Sequence, residues 1–254
     1  MTNIAEVRTS MEDGVAVLTV SNPARRNALN LDLSAGLAEA VEAAAADHRV
    51  GAIVITGEPP SFCAGGDLAE LQGADPERLR AVYQGFLAIA RCPIPTIAAV
   101  NGAAVGAGIN LALACDVRLA GPTARFDVRF LQLGLHPGGG YTWMIDRALG
   151  AQGAKAMTLF CEVLDAAEAE RVGLVWRRYA DDVTLLAEAR ALAGRAAAAP
   201  RALVETTKAT MAIIAGSLSH QEAIELEVRA QAETVRSEAF KERVTALQAK
   251  ISRR

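Results

Sequence analysis

An α/β core followed by a helical tail is the fold class this sequence predicts, and three observations predict it. Two apolar runs, Gly51–Thr56 and Pro95–Val100, have the make-up of buried strands. Each leads into a turn of small residues and then into helical spacing: Ser61-Phe62-Cys63-Ala64-Gly65-Gly66-Asp67-Leu68 after the first, Asn101-Gly102-Ala103-Ala104-Val105-Gly106-Ala107-Gly108 after the second. Beyond about Asp181 the pattern becomes helical almost throughout. The expected organisation is a core over residues 1–180 and a helical region over 181–254.

The elements follow in order. Ile4–Ser10 and Val15–Val20 alternate around Glu12-Asp13-Gly14, and Asp-Gly between such runs predicts a β-hairpin. Asn30 can cap a helix over Leu31–Ala46. A second helix is expected over Pro76–Ala90, stopped by Arg91-Cys92-Pro93, and a third over Ala107–Ala114. Val117–Ala120 and Arg125–Phe126 read as short strands. Pro137-Gly138-Gly139-Gly140 opens a helix through about Ala148. Ala151–Phe160, Ala166–Arg171, Val183–Ala198, Arg201–Ala215, Gln221–Val235 and Glu238–Ile251 all have helical spacing. Ser219 with Glu222 fits a capping box, and Ser237 fits a second N-cap.

Composition excludes several classes. The net charge of −3 argues against a broad nucleic-acid surface, so an anionic ligand would need local cations. No run of about twenty apolar residues is present to span a membrane, and the first residues lack a secretory pattern. Cys63, Cys92, Cys115 and Cys161 lie far apart, as expected for reduced thiols in a cytoplasmic protein. No His/Cys/Asp cluster has zinc spacing, so no metal site is expected; separately, no resident prosthetic group is expected. Gly106-Ala107-Gly108 lacks the third glycine of a dinucleotide loop, and no GxSxG marks a serine hydrolase.

The two turns carry the functional reading. Small residues let a ligand approach the backbone, and helix starts leave N–H groups unpaired. If the turns converge, they aim two donors at one oxygen, the arrangement that stabilises an oxyanion.

With these turns in view, the chain resembles the enoyl-CoA hydratase/isomerase family, the crotonase superfamily. The resemblance is carried by Asn22-Pro23-Ala24-Arg25-Arg26-Asn27-Ala28-Leu29, Ile53–Gly57, Phe62–Leu68, Pro95–Gly102, Cys115-Asp116 and Gly134-Leu135-His136-Pro137-Gly138-Gly139, in the family's order and spacing. It implies a crotonase-like spiral core of ββα repeats with a C-terminal helical region, assembled as a homotrimer or a hexamer of two trimers. It also implies an acyl-CoA thioester as ligand, with coenzyme A entering as part of the substrate. The donors to a thioester enolate then fall on the backbone N–H groups of Gly66 and Ala107. The Pro23–Asn27 loop and the Ala64–Leu68 turn are the expected seat of the nucleotide, with Ala24, Arg25, Arg26, Ala64, Asp67 and Leu68 in contact. Arginine suits phosphate through its fork of donors. Asp67 reads as a helix-start or loop-fixing residue rather than a base. Gly106, Phe130 and Gly138 are further substrate-contacting positions, and Lys250 is a candidate for reaching a ligand from the C-terminal helix.

The chain departs from the family where proton transfer is done. Hydratases of this type use two glutamates around one water, and those positions here are Asn110 and Phe130. Gly138 stands where some members carry an aspartate. Asn110 remains as a group that can hold a water or a carbonyl. His136 remains as a proton carrier, the usual role of histidine near neutral pH, or as a structural residue bonding a loop carbonyl. Tyr141, Asp127 and Arg129 are also close in sequence. Ordinary hydration is therefore doubtful. Isomerisation, hydrolysis, decarboxylation and non-catalytic acyl-CoA binding stay open.

Overall fold

The computed structural model describes residues 5–214, 220–234 and 237–251. Ile4 and Ser219 lie outside them, and for Lys250 only the backbone is described. The chain begins with β1 (Glu6–Glu12), β2 (Val15–Ser21), α1 (Leu31–Ala46), β3 (Ala52–Gly57), β4 (Ser61–Cys63), α2 (Leu68–Leu71) and α3 (Pro76–Arg91). It continues with β5 (Thr96–Val100), β6 (Ala103–Val105), α4 (Ala107–Ala114), β7 (Val117–Ala120), β8 (Arg125–Asp127) and α5 (Tyr141–Leu159). Then come β9 (Leu164–Asp165), α6 (Ala166–Arg171), β10 (Arg177–Arg178), α7 (Asp182–Ala197), α8 (Arg201–Ile214), α9 (His220–Thr234) and α10 (Glu238–Ile251). Two compact units divide at Ala197 and Ala198.

The first unit holds two sheets. One has the order β1-β2-β3-β5-β7-β10, the other β4-β6-β8-β9. Successive strands alternate between them: β3 then β4, β5 then β6, β7 then β8, each pair followed by helix. This is the ββα repeat expected above. The hairpin forms as the Asp-Gly signal requires. Glu12 pairs with Val15, and Asp13 and Gly14 both take positive φ, 48° and 77°.

β3 is buried along its whole length because both faces of the large sheet are covered. Ile53 and Ile55 face a core built with Leu33, Leu37 and Val41 of α1 and Phe86 and Ile89 of α3. Ala52 and Val54 face a second core with Leu185, Ala189 and Ala193 of α7. Those α7 residues recur every helical turn and present one stripe to Val15, Val17, Ile97 and Leu119. Helix α7 thus belongs with the core, and the division falls after it rather than near Asp181. A composition change toward helix marks the end of strand-rich sequence, not the end of the helices that cover the sheet.

Side chains from the recognisable motifs act as struts. Asn101 Oδ1 accepts from Gly57 N at 3.2 Å, and its Nδ2 donates to Gly57 O at 2.8 Å. This ties the ends of β3 and β5, so the two glycine turns start level. Asn27 has φ 61°, a conformation asparagine tolerates, and donates through Nδ2 to Glu58 O and Ser61 O, both at 2.7 Å. It thereby holds the Pro23–Arg26 segment on the β3–β4 connection. Asp116 Oδ2 accepts from Thr96 N at 2.8 Å and Thr96 Oγ1 at 3.0 Å, fixing the start of β5.

Three-residue strands β4 and β6 lie inside the segments that read as turns, and they pair in parallel. Their closeness requires glycine. A side chain at Gly108 would overlap the Cys63 carbonyl, and a Cβ at Gly65 would lie 2.9 Å from the Val105 oxygen. Within α5, Gly150 has φ 67° and breaks the helix where two helices were expected.

The second unit contains α8, α9 and α10. Arg201 and Glu205 pair one turn apart in α8, and Ser237 Oγ accepts from Phe240 N at 3.2 Å as the N-cap of α10. No helix among the described residues is long and apolar enough to cross a membrane.

The packing at Gly108 is testable. Gly108→Ala must push the two turns apart and should lower the unfolding free energy by at least about 3 kcal/mol, the upper range for overpacking. Gly36→Ala, in α1 with nothing within 4 Å of the added carbon, should instead stabilise by about 0.5–1 kcal/mol. Urea unfolding of both variants checks the contrast.

Candidate functional site

Both glycine turns open onto one cavity of about 650 Å³. Its floor is backbone from Ala64 to Gly66 and from Val105 to Ala107. The helix α4 starts at Ala107, so this N–H belongs to the first turn, where no earlier carbonyl is available. Gly66 reaches the same state by a different route. Leu29 N donates to Gly65 O at 2.7 Å, and Asp67 N donates to Leu29 O at 2.8 Å. A strand bonding through the residues on either side of Gly66 leaves the Gly66 N–H pointing to the opposite side. Neither the Gly66 nor the Ala107 N–H has an acceptor among the described residues. Two residues with unpartnered backbone donors, one on each turn, thus line the cavity.

The walls are mostly apolar. Leu68 and Leu71 of α2, Leu79 and Val82 of α3, Val128, Phe130, Leu133 and Leu135 supply them. Polar groups are few: Asn110, His136, Tyr83, Arg80 and Arg129. No Asp or Glu lines the cavity among the described residues. Such a space suits an acyl chain with a small number of polar contacts.

Asn110 is buried, and its Nδ2 donates to Gly138 O at 2.8 Å. Its Oδ1 is buried without a hydrogen-bond partner. Because a carbonyl only accepts, the amide must face Gly138 with its nitrogen, and the free end is an acceptor. His136 is exposed at the cavity, with Nδ1 2.7 Å from Pro137 O. By the same rule Nδ1 carries the hydrogen, which leaves Nε2 for a ligand or solvent.

The expected residues divide into those the fold gathers and those it does not. Gly66, Ala107, Asn110, His136, Ala64, Leu68, Gly106, Phe130 and Gly138 all line the cavity. Ala24, Arg25 and Arg26 do not. They are exposed on the short 3₁₀ turn Pro23–Arg25 and its end, next to the floor only through Arg26 O, which accepts from Ala64 N at 3.0 Å. Asp67 turns its carboxylate to helix capping, Oδ1 accepting from Ala69 N at 2.9 Å. Tyr141 is buried, packed against Phe130, and its hydroxyl lies 3.2 Å from Thr158 Oγ1. Burial pushes its phenol up to about 12, against the smaller opposing effect of the Thr158 bond, so it is a core residue. Asp127 is buried and paired with Arg129, whose φ of 55° carries it to the cavity. Cys63 sits beneath the first turn, but burial drives its thiol up to about 12, which removes it as a nucleophile.

Sequence reasoning missed the contribution of α3. Leu79, Val82 and Tyr83 form one face of that helix and close the cavity from above the turns. Their spacing was legible as amphipathic, but an amphipathic stripe does not say whether it faces a core or a ligand. No group of three or more potential metal ligands occurs among the described residues.

Comparison with known proteins agrees with this architecture. A family profile described as enoyl-CoA hydratase/isomerase matches residues 10–252. A Mycobacterium tuberculosis protein named "probable enoyl-CoA hydratase" is 50% identical over 249 residues, covering 94% of this chain and 96% of that protein. The 2,3-dehydroadipyl-CoA hydratase of Escherichia coli is 40% identical over 190 residues, 72% of each chain. Among solved structures, an enoyl-CoA hydratase from Polaromonas sp. JS666 superposes with a TM-score of 0.89 at 31% identity, covering 96% of this chain and 97% of that one. A Thermobifida fusca chain solved in complex with CoA superposes with a TM-score of 0.82 at 32% identity, covering 91% and 93%. The chain belongs to the enoyl-CoA hydratase/isomerase family, and its fold is that of the crotonase superfamily.

Proposed function

We propose that this chain binds a coenzyme A thioester and stabilises negative charge on the thioester oxygen with the N–H groups of Gly66 and Ala107. The observation that carries the reading is that the two residues with unpartnered donors line one largely apolar cavity. An enolate concentrates charge on one oxygen, and each such donor is worth about 3–4 kcal/mol in a transition state. The N-terminus of α4 adds its positive end at Ala107. Arg25 and Arg26, exposed beside the floor, are cations suited to the phosphates of the coenzyme. Lys250 is a further candidate from the C-terminal helix.

The reaction is that of an acyl-CoA enzyme, nominally a hydratase or isomerase, without the two-glutamate machinery. Phe130 fills one of those positions with a ring packed on Tyr141, and Asn110 fills the other with an amide. Neither exchanges a proton. His136 and Asn110 are the side chains left for moving a proton and holding an oxygen. A second reading, an acyl-CoA binding protein without turnover, is favoured by the absence of Asp and Glu from the described cavity wall. Several exposed apolar residues in α8–α10, among them Leu203, Met211 and Phe240, fit burial between subunits of a trimer or hexamer.

A CoA thioester at about a hundred times its dissociation constant should stabilise the fold by about 2.7 kcal/mol. Thermal unfolding with crotonyl-CoA, 2,3-dehydroadipyl-CoA and CoA itself checks this, and no shift with any of them contradicts it.

Crotonyl-CoA hydration should be slower than in a two-glutamate hydratase by about a hundredfold or more, since each positioned acid or base contributes about 10²–10⁴. Asn110→Glu combined with Phe130→Glu should raise it. On any thioester that does turn over, His136→Ala should lower kcat at least about tenfold with little change in coenzyme affinity. An unchanged rate makes the histidine structural. No turnover across the panel, followed by mass, decides for the binding protein.

Light scattering at micromolar concentration should give a trimer or hexamer, and a monomer would contradict that assembly.

A further inference from the structure

Tyr83 belongs to none of the roles assigned so far, yet it faces the cavity from α3. Its ring packs on buried Phe86 with centroids 5.5 Å apart, which limits where the hydroxyl can go. That hydroxyl lies against Gly138: a side-chain carbon at this position would collide with it. Glycine at 138 is thus the counterpart of tyrosine at 83. The hydroxyl occupies the room a side chain would need. It has no hydrogen-bond partner among the described residues. Burial raises its phenol above the ordinary value, so it is a neutral donor over the physiological range.

Gly138 is also contacted by Asn110. Its carbonyl takes the Asn110 Nδ2 hydrogen, which turns the buried, unpartnered Oδ1 away as an acceptor. Two residues lining one cavity thus meet at Gly138, Tyr83 with a free donor and Asn110 with a free acceptor. A carbonyl would satisfy only the donor. An anion would be repelled by the Oδ1 lone pairs. A hydroxyl or a water satisfies both, because it accepts one hydrogen and offers another.

We propose that Tyr83 and Asn110 together hold one neutral oxygen in the cavity, Tyr83 donating to it and Asn110 Oδ1 accepting from it, and that this oxygen is either a hydroxyl of the acyl group or a water held beside it. The inference rests on the acyl-CoA reading and adds to it a substrate-contacting residue and the chemistry that residue selects.

The test uses Tyr83→Phe in the full chain, which keeps the ring and removes only the hydroxyl. Calorimetric titration of 3-hydroxybutyryl-CoA, butyryl-CoA and CoA reads binding, and steady-state kinetics on any enoyl thioester that turns over reads catalysis. If the oxygen belongs to the acyl group, the unmodified protein prefers the hydroxylated thioester by about fivefold or more, and Tyr83→Phe erases that preference while CoA affinity stays within about twofold. If the oxygen is a water, there is no such preference, but Tyr83→Phe lowers kcat at least about tenfold with KM within about twofold. Gly138→Ala, which displaces the hydroxyl, should reproduce either loss and add little to it in the Tyr83→Phe background. Tight binding of thioesters with neither preference nor kcat altered in Tyr83→Phe overturns this inference alone. No binding of any CoA thioester overturns the acyl-CoA reading, and this inference with it.

Discussion

Everything proposed for the site depends on how closely two backbone turns approach. The turn after β4 and the turn after β6 leave neighbouring parallel strands, so they run side by side. Gly108 rests on the Cys63 carbonyl with no room for a side chain, and Gly65 lies almost as close to Val105. This contact sets the spacing between the Gly66 and Ala107 N–H groups. It is a van der Waals constraint, not a polar one, and it acts where interiors are least compressible.

Around that contact the polar residues of the motifs serve as struts more than as chemistry. Asn101 levels the two strand ends, Asn27 fastens the preceding loop, and Leu29 takes up the backbone groups on either side of Gly66. The last of these has a direct electrostatic consequence. By satisfying Gly65 O and Asp67 N, it leaves the intervening N–H as the group without a partner. Among the described residues, the side chains lining the cavity bring no carboxylate to compete with a ligand oxygen there.

Much of this was legible before any coordinates. Asn30 caps α1 where expected, through Leu33 N at 2.8 Å, and α4 spans Ala107–Ala114 as read from its spacing. The Asp-Gly hairpin and the break at Gly150 also follow from residue types with strong backbone preferences. Short strands were not legible: β4, β6, β9 and β10 are held by pairing with distant partners, and two or three residues show no period. The place of α7 was not legible, because it reads like any alanine-rich helix and only the sheet it covers reveals its role. At the site, glycines and motif residues were legible, whereas Tyr83 was not. Its position depends on how α3 crosses the turns. The arginines of the Pro23–Arg26 segment, expected as ligand contacts, lie outside the residues that line the cavity.

The central claim is that one ligand oxygen sits between two backbone donors. The most direct measurement is a crystal structure of the protein with a non-hydrolysable acyl-CoA analogue. The account predicts the carbonyl oxygen within about 2.7–3.1 Å of both Gly66 N and Ala107 N, the acyl chain running toward Leu79 and Val82. An analogue bound with its carbonyl turned away from both amides, or seated in the separate groove between α1 and α3 near Arg91, would contradict it.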